Sequence, residues 1–153
     1  MIPFLTNSSG LIIPSEEMLE AVCTLRRGKS VKLLPVSNDM APYINNGSVE
    51  LLVQPGAEIG VGSIVLAQSD CGLVLHRIVG FEGNLITLMA DASSWEQEHC
   101  SPEDVLGVVI EARNALTGNV LRISNAWLWR KLKLARKPLL KVYNYLQSYF
   151  SHR

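Results

Sequence analysis

The feature that most constrains the fold is a succession of short strand-like segments through the middle of the chain. Apolar and β-branched runs alternate there with turn signals such as Asn46-Gly47, Pro55-Gly56 and Glu82-Gly83. The predicted strands are Val31–Val36, Val49–Val53, Ser63–Ala67, Leu73–Phe81, Asn84–Met89, Val105–Asn114 and Asn119–Ile123. Strands this short and this closely spaced predict a mainly β fold built on a coiled, partly closed antiparallel sheet.

Helical segments flank the predicted sheet on both sides. Ser15 is a favoured N-cap and Glu16 suits the first turn, so a short helix is predicted from there to Arg27. A basic amphipathic helical tail follows the sheet, and Pro138 is expected to split it and to start its second helix. The chain is therefore divided into an arm with a short helix (1–30), a β domain (31–124) and a helical tail (125–153).

The charge of the chain is distributed unevenly. A composition of 48% hydrophobic and 18% charged residues indicates a folded protein, and the formal net charge is zero. All 14 acidic residues lie within 1–125, whereas residues 126–153 hold half of the 14 lysines and arginines and no acidic residue. A basic tail on an acidic body predicts either an anionic surface as partner or docking of the tail on the body.

Cysteine usage and hydropathy bear on the location of the protein. Cys23, Cys71 and Cys100 are an odd number at unrelated spacing, which favours a reduced, cytoplasmic setting over a disulfide framework. The first fifteen residues lack the basic segment and the long apolar run of a secretory signal, and no run of 18 apolar residues predicts a membrane span. A cytoplasmic protein is expected, and the basic tail is also compatible with peripheral attachment to the membrane.

Two motifs carry a family resemblance. The loop Ser37-Asn38-Asp39-Met40-Ala41-Pro42 resembles the nucleophile loop of the LexA/signal-peptidase superfamily, in which a serine stands at the position of Asp39. Thirty-six residues past the methionine, His76-Arg77-Ile78-Val79 is similar to the segment that carries the general base in His-type signal peptidases. The resemblance extends over about residues 31–109 and implies the mostly β fold of that superfamily.

The resemblance implies a role for each matching residue. His76 would be the general base, which suits an imidazole that titrates near neutrality, and Asp91 would supply its acidic partner. Asp39 would occupy the position of the nucleophile. The frame around these residues would consist of Met40, Pro42, Gly47 and Arg77. No cofactor is implied.

A carboxylate at position 39 changes the expected function. Its attack on a peptide would give a mixed anhydride, and beside His76 it would form an ion pair instead. Loss of a triad nucleophile costs on the order of a millionfold in turnover. The first hypothesis is therefore a catalytically degenerate peptidase-fold protein that binds a peptide or protein. The alternatives are an endopeptidase at the cytoplasmic membrane face, with Ser37 as nucleophile and His76 as base, and a membrane-surface scaffold that acts through the tail.

Other partners are disfavoured by the sequence. His99-Cys100 has no second pair at metal-ligand spacing, so no metal site is predicted, and one short helix before the sheet is too little for a helix-turn-helix that binds nucleic acid. The tail is the candidate surface for a membrane or another partner. Its candidate contact residues are Trp127, Trp129, Arg130, Lys131, Lys133, Arg136, Lys137 and Lys141.

Overall fold

The computed structural model describes residues 1–93, 96–122 and 136–151, and in the last stretch the side chains of residues 138, 139 and 141–149. The predicted mainly β fold is confirmed. The strands are β1 (Ile2–Phe4), β2 (Val31–Pro35), β3 (Val49–Gln54), β4 (Ile64–Gln68), β5 (Leu73–Glu82), β6 (Leu85–Met89), β7 (Glu98–Cys100), β8 (Val105–Asn114) and β9 (Val120–Leu121). The helices are α1 (Glu16–Arg26), a 3₁₀ turn (Pro102–Asp104) and α2 (Arg136–Ser151).

The strands form one sheet in the order β1-β2-β3-β8-β4-β5-β6-β7, with β9 paired to β8. Every pairing is antiparallel except that of β1 with β2, where Ile2 lies opposite Leu33. The long strand β8 pairs with β3 along one part of its length and with β4 along another, which lets the sheet curl. The N-terminal arm thus shares the sheet with the residues assigned to the β domain.

Both faces of the central strands are covered. In β4 the four residues Ile64–Ala67 are all buried, although a strand with one solvated face would alternate. Ile64 and Leu66 belong to the core beneath α1, while Val65 and Ala67 belong to a second core with Ile78 and residues of β6. Neighbouring residues of β5 consequently face different cores, and this separates His76 from Arg77.

The predicted short helix is present as α1. The Ser15 hydroxyl accepts a hydrogen bond from the Met18 amide at 3.1 Å, and the helix ends just before Gly28, whose φ is +81°. Met18, Ala21 and Leu25 are buried against the sheet. This helix closes the core below the strands that carry the site.

The tail helix is described from Arg136, so Pro138, predicted to start it, lies in its first turn. A proline is tolerated there because the first-turn amides have no partner inside the helix. Residues 123–135 lie outside the described part of the chain, so the predicted split of the tail stays a prediction. Among the described residues no helix is long and apolar enough to cross a membrane.

Candidate active site

The loop after β2 holds Asp39 at the edge of the core. Met40 and Ile44 are buried in that core, and the Ile44 amide donates to the Met40 carbonyl at 2.9 Å. Gly47 closes the loop by donating its amide to the Pro35 carbonyl at 2.8 Å with φ at +65°, and the peptide before Pro42 is cis. Three of the four frame residues proposed from the sequence thus lie in one loop, while the fourth, Arg77, lies on β5.

The carboxylate of Asp39 is engaged by the N-terminal arm. The hydroxyl of Thr6 donates a hydrogen bond to Asp39 Oδ2, and the backbone carbonyl of Asp39 accepts from the Ala92 amide at 2.9 Å. The ion pair expected between Asp39 and His76 is not formed within the described residues. The Asp39 carboxylate instead accepts a hydrogen bond from the neutral hydroxyl of the arm.

His76 lies on β5 and is almost completely buried, with 4% of its surface exposed. Its Nδ1 lies 3.3 Å from Oε2 of Glu98, a residue of β7 that is itself buried. Neither ring nitrogen has a well-aligned hydrogen-bond partner in the described part of the chain. A buried imidazole in this condition can accept or donate a hydrogen bond when a polar group enters the cleft.

Gly10 of the N-terminal arm lies close to both Asp39 and His76. A Cβ placed on Gly10 would lie 3.3 Å from His76 Nε2 and 3.8 Å from Asp39 Cγ. Asp39 and His76 therefore both lie next to the backbone of the arm at Gly10. Since the φ of Gly10 is +76°, any larger residue here would be strained as well as crowded.

Asp91 has a different partner from the one expected. Both of its oxygens accept from Arg77, Nε at 2.9 Å and Nη2 at 2.8 Å, and both side chains are buried. Arg77 also donates to the Gly62 carbonyl at 2.7 Å and stands 5.3 Å from the ring centroid of Tyr43. Arg77 follows His76 on the strand and therefore points to the opposite face. The carboxylate beside the His76 ring is that of Glu98.

The turn of the arm is held by its own hydrogen bonds. The Asn7 side chain accepts from the amides of Ser9 at 2.9 Å and Leu11 at 3.1 Å, and Thr6 is bridged to Ile12. The amide of Ile12 donates to the carbonyl of Leu73 at 2.8 Å. These hydrogen bonds fix the conformation of the turn where it borders the cleft.

The edge of β5 beside the cleft is paired only in part. β6 pairs with β5 from Arg77 onward, so residues 73–76 are left without that neighbour. The arm takes this place through Ile12 and Gly10. The chain's own segment 6–12 thus lies where an extended peptide would be added to the sheet beside His76.

The cleft has a volume of about 270 Å³. Its lining residues are Ser8, Ser9, Gly10, Asp39, His76, Ala90, Ala92, Ser93, Glu96 and Glu98. Of the candidates from the sequence, Asp39 and His76 are brought together. Ser37 is half-buried in the loop and is not among the described residues that line the cleft.

Sequence reasoning missed three residues of the site. Thr6, Gly10 and Glu98 come from the arm and from β7, whose contacts with residues 39 and 76 span long distances along the chain. Only Gly10 left a local signal, since the run Asn-Ser-Ser-Gly from residue 7 is typical of a turn. Among the described residues there is no cluster of three or more His, Cys, Asp or Glu that could hold a metal ion.

The candidate tail surface is described only in part. Trp127, Trp129, Arg130, Lys131 and Lys133 lie outside the described residues, as do the side chains of Arg136 and Lys137. Lys141 is exposed on α2. The helix contacts the body through Tyr143, whose hydroxyl donates to Asn45 Oδ1 at 2.5 Å, and burial raises the pKa of this phenol.

A protein-family model matches most of the chain. The family model described as Peptidase S24-like matches residues 8–110, which is more than half of the chain. The matched stretch begins in the turn of the arm, contains Asp39 and His76 and ends in β8. No curated protein matches the chain.

Proposed function

Because the chain belongs to the Peptidase S24-like family, we propose that it is a non-cleaving member that binds a peptide or protein segment in the cleft of Asp39 and His76. The observation that carries this proposal is the hydrogen bond from Thr6 to Asp39. A side chain that anchors a segment of the chain at the nucleophile position is suited to binding a peptide rather than to cleaving its peptide bond.

The chemistry of position 39 supports a binding role. A serine nucleophile transfers its proton to a base as it attacks, and that proton then reaches the leaving amine. A carboxylate has no such proton, and the tetrahedral intermediate it would form expels the carboxylate more readily than the amine. The two groups are also not paired, because the described contacts of His76 lead to Glu98 and those of Asp39 to Thr6. Peptide hydrolysis at this centre is therefore not expected.

The part of the β5 edge that β6 leaves unpaired suggests how a partner would bind. An extended segment added beside residues 73–76 would hydrogen-bond to the strand and pass the ring of His76, which is recognition by strand addition. The arm now makes part of this contact through the bond from Ile12 to Leu73. An external partner therefore competes with residues 6–12 for the cleft.

Competition between the arm and a peptide tests the proposal. Thr6→Val removes the donor to Asp39, so it should loosen the arm and let a labelled peptide of residues 5–13, added in trans, bind more tightly than to the wild type. Thr6→Ser keeps the hydroxyl and is the matched control. A gain of about tenfold is expected, since a hydrogen bond to a charged group contributes roughly 1.5–3 kcal/mol. Fluorescence anisotropy measures it, and failure of the peptide to bind any of the three proteins contradicts the proposal.

The endopeptidase alternative depends on Ser37. This hydroxyl would have to reach His76 from outside the described lining of the cleft. Peptidase activity that disappears in Ser37→Ala would favour the alternative over the binding role. The same loop also carries the contact with α2 at Asn45, so Ser37→Ala must be compared with wild type for stability.

A further inference from the structure

The helix α2 contacts the body through polar groups. Tyr143 donates to Asn45, and Gln147 in turn donates its side-chain amide to the Tyr143 hydroxyl at 2.9 Å. These two residues are one turn apart and share a side of the helix. Among the described side chains of α2, those of Tyr143 and Gln147 thus connect the helix to the body through hydrogen bonds.

Apolar side chains occupy a neighbouring side of the same helix and remain in solvent. At 100° per residue they form a single arc about a third of the circumference wide. Their exposed fractions are Leu139 55%, Val142 58%, Tyr145 70%, Leu146 47% and Tyr149 55%. A contiguous apolar surface of this kind marks a docking face, whereas a scattered apolar residue such as Leu116 in the turn after β8 does not.

The charge around this face indicates what it docks on. Residues 126–153 carry seven lysines and arginines and no acidic residue, and Lys141 is exposed beside the arc. A second copy of the chain would bring two such basic segments together, and the repulsion opposes that occupant. An anionic lipid surface takes up both the charge and the apolar arc, and tyrosines suit its interfacial zone.

We propose that α2 is an interfacial helix that binds anionic membranes, with the arc of Leu139, Val142, Tyr145, Leu146 and Tyr149 inserted at the boundary between headgroups and acyl chains. Because Tyr143 ties the helix to Asn45, the loop that holds Asp39 lies next to the membrane contact. The proposal does not depend on peptide binding in the cleft, so either can fail alone.

Vesicle co-sedimentation of the full chain tests this proposal. The protein should bind vesicles of phosphatidylglycerol and phosphatidylcholine more tightly than vesicles of phosphatidylcholine alone. It should lose most of that difference at about 0.5 M salt, where exposed charges are screened within a few ångströms. Leu139→Ser, Val142→Ser and Tyr145→Ser combined should weaken binding to anionic vesicles by roughly tenfold or more, because partition scales with the apolar area inserted.

Two further variants separate the contribution of the apolar arc from that of the positive charge. Leu19→Ser changes a side chain of α1 that is 59% exposed and lines a groove to which no described residue of α2 contributes, so its binding should equal that of the wild type. Lys141→Glu should weaken binding to anionic vesicles and leave binding to neutral vesicles unchanged. Circular dichroism confirms that each variant keeps the fold.

Several outcomes overturn the proposal. They are no binding to anionic vesicles, binding that the triple variant leaves unchanged, and binding that ignores lipid charge and salt. Sedimentation equilibrium tests one more contrary outcome. If the wild type forms a dimer and does not bind vesicles, and the triple variant is a monomer, the apolar arc is an interface with a second copy of the chain.

Discussion

The carboxylate of Asp39 accepts a hydrogen bond from Thr6 at the place where a catalytic hydroxyl would have to be free to attack a carbonyl. In the proposed account this carboxylate anchors the arm, whose Gly10 lies next to His76. The neighbouring carboxylates also have separate partners, since Asp91 is bound by Arg77 and Glu98 lies beside the imidazole. The hydrogen-bond or ion-pair partner of each carboxylate thus determines what that carboxylate can do at this site.

The buried pair of Arg77 and Asp91 should be a main determinant of stability. Asp91→Ala leaves the guanidinium, 1% exposed, without its counter-charge, and is expected to lower the free energy of unfolding by about 3–5 kcal/mol. Urea denaturation measures the change. Lys32→Ala is the control, since it breaks the exposed pair with Glu50 and should cost at most about 1 kcal/mol. Equal costs for the two variants would contradict a structural role for the buried pair.

The thiol of Cys100 should make stability depend on pH in the alkaline range. Burial, assisted by Asp104 and Asp70, raises its pKa from 9.0 to about 11. Below pH 9 both states hold the proton, and between pH 9 and 11 only the unfolded state loses it. Stability should therefore fall as pH rises through this interval, by up to about 2 kcal/mol.

Thermal unfolding of variants across that pH range isolates the contribution of the thiol. Cys100→Ala should remove this part of the alkaline loss, whereas Cys23→Ala, which changes an exposed cysteine, should retain it. An alkaline loss that is the same in wild type and Cys100→Ala would show that another group is responsible.

At the scale of elements, the sequence predicted the longer strands and β9 but missed the three-residue strands β1 and β7. Strands bounded by turn residues, such as β3 and β6, leave a local pattern of apolar residues and glycines. β1 and β7 have three residues each, too few for any periodicity, and they exist because β2 and β6 offer edges to pair with. Missing β7 meant missing Glu98, the neighbour of the candidate base.

Close packing between α1, β3 and β8 depends on Gly107. A Cβ at this position would lie 2.6 Å from Val53 Cγ1 and 3.3 Å from Leu25 Cδ2. Gly107→Ala is therefore expected to destabilise the protein by about 1–3 kcal/mol, which chemical denaturation measures. Gly60→Ala has open space and an ordinary φ, so it should be neutral or slightly stabilising. A neutral Gly107→Ala would mean that the layers are less tightly packed than described.

At the scale of the whole molecule, the family resemblance could be recognised from the sequence. The position of the N-terminal arm in the cleft could not. The succession of short strands predicted the mainly β fold, and the resemblance carried by Met40, Pro42, Gly47 and His76 implied it independently. The resemblance also implied that Asp39 lies near His76. The position of the arm follows from contacts of residue 6 with residue 39 and of residue 10 with residue 76, which no local pattern encodes. The placement of α2 beside the same loop is equally a property of the folded chain.

The central claim is that the peptidase frame is retained without its nucleophile, and labelling with a serine-directed fluorophosphonate, followed by intact mass, tests it most directly. We expect no adduct on the wild type, a single adduct at position 39 of Asp39→Ser, and none when His76→Ala is added to that variant. An adduct on the wild type, at Ser37 or at a serine of the cleft, would contradict the account and make the protein an enzyme. Absence of labelling in Asp39→Ser would contradict the retained frame.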